Sequence, residues 1–203
     1  MSWATDESGE LTPTMQIHFV EIVFDRAEDM VRGALELEKA LSMSLGTEPV
    51  FRALDGVLIA GGRIAAAIKP LRSAKKTAAD VRAIRSAREE FMTQVFGDPA
   101  LDVLQERAVR HRVEHFDEYL ESALAAAEPG AGMVRLVGPR DAVRIMDSPD
   151  AIWVRHFDPD TGMYSVLDTE QVNVRELVRA GVLARDIARR WLIERNHPRA
   201  VRG

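Results

Sequence analysis

From Phe19 onward, apolar residues return at every third or fourth position: Phe19, Val23, Ala27, Met30, Ala34, Leu37 and Leu41. Thr12-Pro13 supplies a cap residue followed by proline at the first helical position, and Gly46 lies just beyond the run. The pattern predicts a first helix of ~30 residues, about 45 Å long at 1.5 Å per residue. A second stripe of Val50, Leu54, Val57, Leu58, Ala65 and Ile68 predicts a helix from about Glu48 to Lys69, stopped by Pro70. Within it, Gly61 and Gly62 each cost about 1 kcal/mol relative to alanine, which points to close helix contact or a kink. A third helix is expected from Thr77 to Phe96, with Val81, Ile84, Ala87, Phe91 and Val95 on one face. A fourth opens at the cap-and-proline pair Asp98-Pro99 and continues to about Ala127.

The period changes after the linker 128–132, Glu-Pro-Gly-Ala-Gly. Short runs rich in β-branched and aromatic residues follow: Met133–Val137, Ile152–Phe157 and Met163–Leu167, the last two joined by Asp158-Pro159-Asp160-Thr161-Gly162. A β-hairpin is expected there. Asn173 to Glu176 reads as a capping box opening a final helix with Leu177, Leu183, Ile187, Trp191 and Leu192 as its apolar face. The expected fold is therefore mainly α. A disordered tail (1–11) precedes an antiparallel four-helix bundle (12–127), and a β-hairpin with a packing helix (133–203) follows the linker.

Composition narrows the function classes. With 46% hydrophobic and 29% charged residues the chain has the make-up of a folded domain. The net charge of −5 offers no global field for a polyanion. The absence of cysteine removes disulfides, thiolate nucleophiles and cysteine metal sites together, and it suits a reducing compartment. No apolar run approaches the ~20 residues of a membrane span, so a soluble cytoplasmic protein is expected. The charge is uneven, however. Eight bases (Arg63, Lys69, Arg72, Lys75, Lys76, Arg82, Arg85, Arg88) share the stretch from 63 to 88 with one acid, Asp80. That segment reads either as a solvated face or as a track for a nucleic-acid backbone, with Arg72, Lys75, Lys76 and Arg82 as its candidate contacts.

The densest chemistry lies in Arg110-His111-Arg112-Val113-Glu114-His115-Phe116-Asp117-Glu118-Tyr119. Two of the five histidines stand four apart, on one helix face, with Arg110 within reach. An imidazole exchanges a proton near neutral pH, and an arginine holds two phosphate oxygens at once, a pairing suited to phosphodiester chemistry. The same cluster also reads as a solvated face whose arginines pair with Glu106, Glu114 and Glu118. A zinc site on His111 and His115 would want further ligands that Asp117 and Glu118 do not easily supply together. The turn at 158–162 lacks the ligand positions of a calcium loop. No nucleophile elbow or dinucleotide fingerprint is present, and no metal or cofactor is expected.

Arg110-His111-x-x-x-His115 resembles the motif of the HEPN (higher eukaryotes and prokaryotes nucleotide-binding) superfamily, helical bundles whose RNase members carry arginine, a polar residue, three arbitrary residues and histidine. The resemblance covers about residues 13–127. It implies metal-independent RNA cleavage in a cleft between two protomers of a homodimer. Arg110 would stabilise phosphate charge, His115 would be general acid or base for attack by the ribose 2′-hydroxyl, and His111 would orient the site. In toxin members of the family a tyrosine commonly follows two places after the histidine. Here that place is Asp117, and Tyr119 is four residues on. The other reading is a non-catalytic dimeric scaffold or partner-binding module. A regulatory protein partner is compatible with either.

Overall fold

The computed structural model describes residues 4–69, 78–105, 111, 115–128, 131–139, 151–167 and 170–198. The protein is mainly helical, with one small mixed sheet. In chain order the elements are α1 (Pro13–Ser42), α2 (Thr47–Ile68), α3 (Ala79–Phe96), a 3-10 helix (Pro99–Gln105), α4 (Phe116–Ala126), β1 (Met133–Val137), β2 (Ile152–Asp158), β3 (Met163–Val166), β4 (Glu170–Asn173) and α5 (Val174–Glu194).

The chain divides into two compact units: Met1–Val31, Ala60–Gln105 and Arg179–Gly203 form one, and Arg32–Ile59 and Glu106–Val178 form the other. The cuts fall inside α1, α2 and α5, so this division does not follow the boundary expected at the Pro129-Gly130 linker.

The first unit is helical. Val20, Val23, Ala27 and Met30 of α1, Ile64 and Ala65 of α2, Met92 and Phe96 of α3, and Ala184, Ala188 and Leu192 of α5 are among its buried side chains. Their spacing is the 3.6-residue period of amphipathic helices. α2 runs unbroken through Gly61 and Gly62, both buried. Gly181 is a close-contact site, because a β-carbon there would overlap Sδ of Met30 and lie 3.3 Å from its Cγ. Residues 4–11, expected as disordered tail, fold back on themselves. Asp6 accepts hydrogen bonds from Ser8 and Glu10, and a bridge pairs Thr5 with Leu11. Ala4 and Leu11 thereby join Met15 in a buried cluster with Phe19, Ile84, Ala87 and Phe91 packed against it. This apolar contact was invisible in a tail read by its acidity.

The second unit carries the sheet, in order β1-β2-β3-β4. β1 runs parallel to β2, and the other two pairings are antiparallel. The appendage is thus a four-stranded mixed sheet, where a hairpin was expected. The β2–β3 turn is closed by Gly162 at φ +75°, and Asp158 accepts from Asp160 N and the Thr161 hydroxyl. Alternation along the strands sorts the side chains into two faces. Phe157, Tyr164, Val166 and Val172 occupy one, with Tyr164 against Phe51 of α2 at a ring separation of 6.3 Å. His156, Ser165 and Gln171 share the other. α5 then starts directly from β4, and Asn173 caps it by accepting from Arg175 N (3.0 Å) and Glu176 N (3.2 Å).

The fourth expected helix is corrected. Asp98 caps as foreseen, accepting from Ala100 N at 2.9 Å, but residues 99–105 form a 3-10 helix. Its three-residue turn places Leu101 and Leu104 on the same buried side, which an α-helical reading of that pair does not distinguish. α4 is a separate helix preceded by His115, whose φ of −114° and ψ of 33° lie outside the helical basin.

Candidate functional site

His111 and His115 come together at the start of α4. The His115 amide donates to the His111 carbonyl at 2.9 Å and the Tyr119 amide to the His115 carbonyl at 3.3 Å, so one residue in four faces the same way. The imidazole rings are 4.5 Å apart between centroids and tilted by 56°. Tyr119 adds its ring edge-on to His111 at 5.9 Å. Nδ1 of His115 lies 3.4 Å from Oε1 of Glu118, with the histidine side chain 43% exposed and the carboxylate 79%. A polar contact so open to water is weak, so Glu118 biases the ring orientation and little more. Both imidazoles are exposed, which leaves their nitrogens accessible to a substrate. Arg110, with Arg112 and Glu114, lies outside the described residues.

The expected basic track resolves unevenly. Arg72, Lys75 and Lys76 lie outside the described residues, and Arg82 is exposed in the first turn of α3. Arg88 is committed to the fold. It donates from Nη2 to the carbonyls of Ala66 (2.8 Å) and Ala67 (2.6 Å) at the end of α2, and its guanidinium stacks over Phe19 at 4.5 Å. Helix ends leave carbonyls without intrahelical partners, and a cation there satisfies both the hydrogen bonds and the dipole. Burial lowers the pKa of Arg88 from the usual arginine value, and Arg85 adds repulsion.

A second polar cluster, in the sheet unit, was not foreseen. Arg155 of β2 bonds Asp55 of α2 through Nη2 and donates from Nε to the Tyr164 hydroxyl at 2.8 Å, while its guanidinium lies over the Phe51 ring at 4.8 Å. Tyr164 is fully buried, and burial pushes its hydroxyl up to about 12, with Arg155 opposing. On the sheet's other face His156 donates from Nε2 to the Gly138 carbonyl at 2.8 Å. The signal in the sequence is alternation along Ile152–Phe157, which puts His156 on the face of Val154 and opposite Arg155 and Phe157.

Among the described residues, no group of three or more His, Asp or Glu side chains is placed to hold a metal ion, and no helix is long and apolar enough to cross a membrane. No known protein family, curated protein or solved structure matches this chain.

Proposed function

We propose that this protein acts on RNA as a homodimer, cleaving or binding it at a composite site built from Arg110, His111 and His115. The observation that carries the reading is the exposed pair of imidazoles at 4.5 Å, standing in the arginine, polar residue, three residues, histidine spacing. In this reading the helices form a HEPN-type antiparallel bundle, and the protein needs no metal. One imidazole takes the proton of the ribose 2′-hydroxyl as it attacks the phosphate, and its counterpart in the two-fold mate returns a proton to the leaving 5′-oxygen. Arg110 stabilises the charge that develops on the non-bridging oxygens. The second copy has a helix to meet. None of the eleven residues of α4 is buried, Phe116, Tyr119, Leu120 and Ala123 on one stripe are only partly covered, and Leu124 is 47% exposed.

The test is purified protein against single-stranded and structured RNA, with and without chelator. Arg110→Ala or His115→Ala should lower cleavage by about 10² to 10⁴ without altering the circular dichroism spectrum, and chelator should change nothing. Arg112→Ala and Glu114→Ala should do less. RNA affinity should fall steeply with salt. A dimer that neither cuts nor binds any RNA would replace this reading with that of a non-catalytic scaffold.

A further inference from the structure

His156 (7% exposed) and Ser165 (3%) are buried polar side chains on the face of the sheet opposite Tyr164. They are direct partners in the β2–β3 register, and Gln171 is Ser165's partner on β4, so the three form one row across a single face of the sheet. Burying polar groups is costly, and here two of them are buried side by side. The row opens into a cavity of about 270 Å³, which Asp158, Thr161 and Met163 also line. Drug-sized ligands occupy roughly 300–1,000 Å³, so this space suits a molecule with a single ring system.

The lining defines the chemistry of its occupant. Because a carbonyl only accepts, the bond to Gly138 places a hydrogen of His156 on Nε2. Asp158 uses one oxygen for the Asp160 amide and the other for the Thr161 hydroxyl, and a carboxylate has about four acceptor positions. The Thr161 hydroxyl first, with the backbone amides of Asp160 and Thr161, holds Asp158 below the usual carboxylate range against the opposing effect of desolvation, so it is ionised at neutral pH. Among the described lining residues the charged one is the carboxylate of Asp158 and none is lysine or arginine, which disfavours phosphates and carboxylates. Gln171 offers a donor and an acceptor side by side, the pair that reads adenine, while a carboxylate accepts from the amino group of cytosine. Met163 and Pro139 supply apolar surface for a ring.

We propose that this cavity, walled in part by Ser165 and His156, binds an uncharged, amino-bearing nucleobase or nucleoside through Asp158 and Gln171. The site is independent of the RNA reading, since its ligand is small and its readout is binding rather than cleavage. The experiment is calorimetric titration of the full chain with cytidine, adenosine, uridine and cytidine 5′-monophosphate. Cytidine or adenosine should bind saturably at or below about 1 mM. Uridine carries a carbonyl where cytidine has the amino group and should bind about tenfold more weakly, and the added phosphate should not tighten binding. Asp158→Asn, which can donate as well as accept, should remove the preference for cytidine over uridine. Gln171→Leu changes an exposed side chain and should weaken cytidine or adenosine without disturbing the fold; it decides the matter if the Asp158 variant does not fold. Absence of binding, equal affinity for uridine, tighter binding of the monophosphate, or an unchanged affinity in Gln171→Leu would each overturn the proposal.

Discussion

Replacing Arg155 by methionine keeps most of the apolar stem and removes the charge and every donor. The arginine side chain is 15% exposed and its partner Asp55 31%, which places the pair between two regimes. Removing one member of a fully buried pair costs about 3–5 kcal/mol, and exposed pairs contribute at most about 1 kcal/mol. Arg155→Met also strips the fully buried Tyr164 hydroxyl of its 2.8 Å donor, which by itself costs about 1–3 kcal/mol. The expected loss is ~2–3 kcal/mol, or a fall in Tm of about 4–12 °C for a chain of this size. Asp55→Leu should cost less, ~1–2 kcal/mol, because the guanidinium keeps Tyr164 and the Phe51 face. In the double variant the losses should fail to add, leaving a coupling of ~1–2 kcal/mol. Urea denaturation of the four proteins measures the cycle, and amide exchange in β2 and β3 localises the loss. Additivity within about 0.5 kcal/mol would refute the pairing, and a neutral Arg155→Met would refute the whole account of the cluster.

Three further outcomes are expected. Tyr164 titrates near 10 when unfolded and near 12 in the native protein, so the native state keeps a proton that the unfolded chain has lost; stability contributed by this group is intact below pH 10 and falls by about 1.4 kcal/mol per unit between them, and Tyr164→Phe should abolish that component of the alkaline denaturation curve. Gly181→Ala should destabilise by ~1–3 kcal/mol despite alanine's better helix propensity, because Met30 is fully buried and cannot swing aside, and thermal melts should show Met30→Val restoring part of the loss. Arg88→Met should cost ~1.5–3 kcal/mol and accelerate amide exchange in the last turn of α2, with Arg88→Lys recovering only part because an ammonium lacks the guanidinium's fork.

What could be read along the chain was local in origin. The 3.6-residue stripes of α1, α2, α3 and α5 follow from neighbours within a turn or two, as do the start at Pro13, the cap at Asp98 and the cap at Asn173. The apolar runs of β1, β2 and β3 were legible for the same reason, and so was the closeness of His111 and His115, which stand four positions apart. β4 was not legible: Glu-Gln-Val-Asn has one apolar residue, and it becomes a strand because the edge of β3 supplies its hydrogen-bond partners. Tertiary structure also decided which charges stay in solvent. Arg88 finds its acceptors 21 and 22 positions away, and Arg155 finds Asp55 across 100. Composition counts those arginines as available cations, whereas folding desolvates them and satisfies them internally. The polar row of His156, Ser165 and Gln171 exists only once strand register has placed three separate segments side by side.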